Sequence, residues 1–134
     1  MLLLVCFLMG CQDNIENAES VVPQPLSLTE VYPTNIQVVD KIELLDGNSG
    51  ERKIIEDKSE ITTFINSIKD IQLIPHENQE DRVGFNFSIS LYEDGERVFG
   101  FTSTNLNGTY MQTNTEFEKH IRSFFKKHYG RDTW

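Results

Sequence analysis

The sequence predicts an α+β fold: a two-layer domain whose antiparallel sheet of about five strands, in chain order β-β-α-β-β-β-α, carries two helices packed on one face. Three observations predict it. Val83, Phe85, Phe87, Ile89 and Leu91 alternate with Gly84, Asn86, Ser88, Ser90 and Tyr92, the period of a strand with one apolar face. Ile61, Phe64, Ile65 and Ile68, and later Phe117, Ile121, Phe124 and Phe125, recur at the spacing of buried helix stripes. Turn residues rich in Gly, Asn and Asp punctuate the apolar runs between them.

Taken in order, residues 36–45 read as the first strand and 52–56 as its hairpin partner, joined across Gly47 and Gly50. Asp57 followed by Glu60 is a capping-box pattern, so the first helix is expected over 58–70. An extra short strand near Leu73 is an open alternative. The alternating strand covers 83–92 and returns through Glu93-Asp94-Gly95 into 97–104; Asn107-Gly108 then turns into a last strand over 109–112. Thr115 and Glu118 form a second capping-box pattern, and the helix behind it should stop near Gly130.

The hairpin at Gly95 has two possible registers. A two-residue Asp94-Gly95 turn would place Val98 and Gly100 opposite Leu91 and Ile89, and would push Phe99 and Phe101 into solvent as an aromatic platform. A three-residue loop with Gly95 left-handed in a bulge puts both rings inside. Leaving two phenylalanines exposed forfeits about 1.5–3 kcal/mol each, so the bulged loop and a core position for both rings are expected.

The chain has 134 residues, enough for one domain, a targeting segment and a linker. Its formal net charge of −9 repels polyanions, which argues against a nucleic-acid partner. Residues 1–10 hold an unbroken apolar run from Leu2 to Met9, too short to cross ~30 Å of hydrocarbon, and read as an export signal. The run ends in Leu8-Met9-Gly10-Cys11, which resembles the lipobox cut by the lipoprotein signal peptidase. Cys11 is therefore the expected lipidation site, and two acyl chains there would make a stable anchor. No Lys or Arg precedes the run, so translation is expected to begin upstream of Met1. The competing reading, a buried first element of the domain, lacks a partner segment. Cleavage before Cys11 would discard Cys6 and leave neither a second thiol nor a disulfide in the mature chain.

Residues 11–34 contain Pro23, Pro25 and Pro33 among polar residues without periodicity and read as a lipidated cysteine and flexible tether, reaching about 25 Å root-mean-square. Residues 35–134 form the single α+β domain.

Several patterns invite chemistry and are outweighed. Asp46-Gly47-Asn48-Ser49-Gly50, with Asp57 farther on, starts like a calcium loop, yet Glu51 occupies the position where the sharp turn needs Gly. His76, Glu77, Glu80 and Asp81 crowd one loop and are weak metal candidates, with no second ligand at fixed spacing, so no metal and no cofactor are expected. His120 and His128 lie eight residues apart rather than four and read as packing or capping residues. Lys126, Lys127 and Arg131 suit the dipole at the end of the last helix, with contact to anionic lipid an open alternative. No serine sits in a nucleophile elbow and no strand ends frame a carboxylate pair; Ser88 and Ser90 simply alternate on a polar face, and the sequons at Asn86 and Asn107 are accidental beside a bacterial lipobox.

Lys41-Ile42-Glu43-Leu44 with Asp46-Gly47, the strand ending Ile89-Ser90-Leu91-Tyr92-Glu93-Asp94-Gly95, and Asn107-Gly108-Thr109-Tyr110 together resemble the small Bacillus-type lipoproteins of the YhfM-like kind. The resemblance spans roughly residues 36–129, rests on strand and turn chemistry, and carries no functional residue across. The expected function is a non-catalytic binding module on the outer face of the cytoplasmic membrane. It would be monomeric, held through Cys11, with a protein or cell-wall partner. The alternatives are a small metal-dependent hydrolase using the loop from His76 to Asp81, and an envelope inhibitor or immunity protein.

Overall fold

The computed structural model describes residues 23–80 and 84–134. The export signal, Cys11, the tether as far as residue 22, Asp81 and Val83 lie outside the described residues.

The chain joins the fold earlier than its sequence suggests. Leu26 and Leu73 exchange backbone hydrogen bonds, both 2.7 Å, and the four-residue helix α1 (Leu28–Val31) is capped by the Ser27 hydroxyl. Leu28 and Tyr32 are buried, so the tether stops short of residue 34 and the domain begins before residue 35. One helical turn between prolines has no periodicity to read, and it holds only because the core covers it.

Residues 36–45 also divide. Asn35 caps a 3-10 turn at Ile36–Val38, which buries Ile36, and strand β1 (Lys41–Asp46) starts only afterwards. β2 (Arg52–Ile55) pairs with β1 as a hairpin. Helix α2 (Lys58–Ile68) follows, with the Asp57 carboxylate accepting from the Glu60 backbone N–H at 2.9 Å. β3 (Phe87–Glu93), β4 (Glu96–Phe101), β5 (Asn105–Leu106) and β6 (Thr109–Tyr110) complete the strands, and α3 (Thr115–Tyr129) the helices. The α3 N-cap is Asn114 rather than Thr115: its side chain accepts from the Phe117 N–H at 3.0 Å. Gly130, left-handed at φ 69°, ends α3 by bonding back to the Lys126 carbonyl.

Among the described residues the molecule is α+β, with a six-stranded open antiparallel sheet in the order β2-β1-β3-β4-β5-β6 and three helices. The inner sheet face contributes Ile42, Leu44, Ile89, Leu91, Phe99 and Phe101 to the core. Against it lie the stripes of α2 and α3, whose Phe64 and Phe124 rings stack at 3.8 Å. No separate strand forms at residue 73; Leu73 makes an isolated bridge instead.

The β3–β4 hairpin takes neither register considered above. Asp94 and Gly95 both have positive φ, 49° and 82°, and make a two-residue turn with Glu93 opposite Glu96 and Tyr92 opposite Arg97. Leu91 nevertheless faces Phe99, because Val98 is an extra residue in β4. The bulge therefore sits at Val98 and not in the turn, and it shifts the strand by one so that Phe99 and Phe101 are buried. Packing overrides the turn's own register.

The alternating run is also shorter than it reads. β3 begins at Phe87, opposite Asp46, and Phe85 is 53% exposed rather than core. Just before that point the Gly47 N–H donates to the Asn86 carbonyl at 2.9 Å, and a Cβ at Gly47 would come within 2.3 Å of the Phe85 carbonyl oxygen. Gly47→Ala should therefore cost about 1–2 kcal/mol, because backbone must move. Gly100→Ala should cost less, under about 1 kcal/mol: the atoms nearest a Cβ there belong to the Arg97 guanidinium, the end of a flexible side chain that can swing aside by giving up its bond to Ser90 Oγ. Paired urea unfolding curves check both.

Candidate functional site

A cleft of about 860 Å³ opens where the start of β3, the β4–β5 connection and the middle of α3 meet. Each wall has a local cause. On α3, Glu118 and Arg122 are one turn apart, and Glu118 Oε1 accepts from Arg122 Nε at 3.1 Å and Nη2 at 2.8 Å. Beyond α3 the Gly130 turn sends the chain back across the domain. Arg131 reaches Asp46 at 3.0 Å, and Asn48 Nδ2 donates to the Thr133 carbonyl at 3.3 Å. Trp134 thereby lands on Phe87, the rings stacked at 4.0 Å, with its edge against Phe125. Arg122 lies 4.8 Å over the indole and donates through Nη1 to the Trp134 backbone oxygen.

The opposite wall is the run Thr102-Ser103-Thr104-Asn105, folded by Thr104 N–H donating to Thr102 Oγ1 at 3.2 Å and Gly108 N–H to Asn105 Oδ1 at 2.7 Å. Phe85 and Asn86 stand beside Phe87 in the lining. Among the described residues Glu118 and Arg122 are the charged side chains of this wall, and they neutralise one another. The cleft is thus nearly neutral inside a chain of formal charge −9.

Asp46 anchors the adjoining loop and is 1% exposed. The Asn48 backbone N–H, 2.9 Å from Oδ1, holds its carboxyl below the usual value; the Arg131 guanidinium helps, and burial opposes both. This carboxylate is committed to the turn and to Arg131, so the calcium-like segment is occupied by its own side chains.

The residues singled out for metal binding do not converge. His76 Nδ1 accepts from the Asn78 N–H at 3.1 Å and its own N–H donates to the Tyr110 carbonyl, while Glu77 and Glu80 are exposed and Asp81 is outside the described residues. Gln79, which carried no signal in the sequence, straps this loop to β6. Its Nε2 donates to the Tyr110 carbonyl at 2.9 Å and its Oε1 accepts from the Tyr110 N–H at 2.8 Å. Among the described residues no group of three or more His, Cys, Asp or Glu is placed to hold a metal ion. His128 packs edge-on against Phe124 with Nε2 2.5 Å from Glu60 Oε1, joining α3 to α2, and His120 lines a shallower groove between those helices. Ser90 Oγ accepts from Arg97 on the outer sheet face.

Local pattern did not point to the cleft, whose walls come from residues 84–87, 102–105, 110, 118, 122 and 134. The available signals were the single tryptophan beyond a helix-ending glycine and a four-residue hydroxyl and amide run between strands. No protein-family model, no curated protein and no solved structure matches the chain. No helix among the described residues is long and apolar enough to cross a membrane.

Proposed function

We propose that the chain is a lipid-anchored extracytoplasmic binding module, attached through Cys11 and presenting the cleft bounded by Phe85, Thr102 and Arg122. The observation that carries the binding role is the cleft itself: its volume lies in the range of about 300–1,000 Å³ typical of ligand sites, and aromatic and uncharged polar side chains share its lining. Leu8-Met9-Gly10-Cys11 at the end of the apolar run supplies the address, and the YhfM-like resemblance accords with it. A hydrolase built on residues 76–81 gains no support, since His76 and Gln79 are engaged in fastening the loop to β6.

Metabolic labelling with an alkyne fatty acid should mark the wild-type chain, and Cys11→Ala should abolish the label and release the protein from the membrane fraction. Protease added to intact cells should digest the domain. An unlabelled chain, or a Cys11→Ala variant as firmly membrane-bound as the wild type, would overturn the anchoring.

A further inference from the structure

We infer that the cleft binds an uncharged saccharide chain, with the Phe85 ring as the stacking platform; this deepens the binding role proposed above and rests on it. The first ground is charge. Arg122 spends its guanidinium on Glu118 and on the Trp134 backbone oxygen, so the described side chains of the walls leave no free cation to an anionic ligand. The second is the supply of hydrogen bonds. The side chains of Asn86, Ser103 and Thr104 line the cleft and make no hydrogen bond among the described residues, which leaves amide and hydroxyl groups to meet a ligand's hydroxyls.

The third ground is Phe85. It is 53% exposed, yet the next residue's carbonyl, that of Asn86, accepts from the Gly47 N–H, and its ring edge lies close enough to Gly47 that a Cβ there would be 3.1 Å away. A large, half-exposed apolar ring in the lining of a polar cleft matches the C–H face of a sugar ring, whose hydroxyl rim then meets the polar wall. A lipid tail fits less well, because the Thr102 to Asn105 wall would be desolvated without partners. A charged peptide would find no ion pair.

Trp134 is the chain's single tryptophan and lies in the lining, so its emission reports on occupancy. The full chain, in micelles of a detergent without a sugar headgroup, is titrated with short neutral oligomers of β-1,4-linked N-acetylglucosamine, of glucose and of mannose, and with a charged tripeptide. At least one oligosaccharide should give a saturable change with Kd on the order of 10⁻⁵ to 10⁻³ M. Phe85→Ala should weaken it at least about tenfold with an unchanged unfolding midpoint, and Phe85→Tyr should keep it. No saturation by any oligosaccharide up to about 10 mM, equal affinity in Phe85→Ala, or saturation by the tripeptide alone would overturn the inference. None of those results touches the acylation of Cys11, and loss of the anchor leaves the titration intact.

Discussion

Replacing Phe99 by alanine should lower the unfolding free energy by about 3–5 kcal/mol, a large share of the 5–15 kcal/mol that holds a domain of this kind together. The ring is 1% exposed and lies near Tyr32 and Phe101, with centroids at 5.8 and 6.2 Å. Those contacts exist only because the extra residue at Val98 turns the strand over after the Asp94-Gly95 turn. With an unbulged two-residue hairpin the same ring would stand in solvent, and its removal would change stability by under about 1 kcal/mol. Urea midpoints at constant slope distinguish the two. A loss of that smaller size would mean that the β4 register is wrong.

Asp46→Ala should cost about 2–3 kcal/mol at neutral pH, since it strips a buried charged acceptor from the Asn48 N–H and from Arg131. Arg131 is 47% exposed at its side chain and can turn to water, which keeps the loss below that of a fully buried pair. The pH dependence has a definite sign. The folded carboxyl titrates below its ordinary 3.8, so the unfolded chain binds the proton more readily. The contribution is complete above that ordinary value and disappears as pH falls through it toward the folded one. Asp46→Asn keeps an acceptor for Asn48 but has no charge to lose. The gap between wild type and Asp46→Asn should therefore shrink as pH falls below about 4, read from denaturation curves between pH 7 and pH 3. A gap that widens on acidification would contradict the assignment.

Helices α2 and α3 were legible because each carries its own caps and a complete apolar stripe, both of them local properties. Phe85 misled because alternation marks a buried face only where a neighbouring strand and a helix layer continue. β1 ends opposite Phe87, and two residues earlier the same pattern means nothing. Val98 was invisible for a related reason: the turn chemistry of Asp94-Gly95 and the burial of Phe99 specify different registers, and only a bulge satisfies both. Leu28 and Tyr32 sit in a stretch too short for periodicity, and Tyr32 meets the ring of Phe99, far along the chain. The cleft was hidden more deeply still, because Phe85, Ser103, Arg122 and Trp134 meet only after the sheet, helix and tail have assembled.

The fastening of Gln79 along β6 has a consequence for how copies of this chain behave toward one another. An open sheet has two raw margins on which a neighbour can polymerise. Here the far margin is already engaged by His76, Gln79 and the bridge from Pro75 to Met111, and the near one offers only the four residues of β2, two of them the cations Arg52 and Lys53. A second copy laid alongside therefore finds little free backbone on which to extend the sheet.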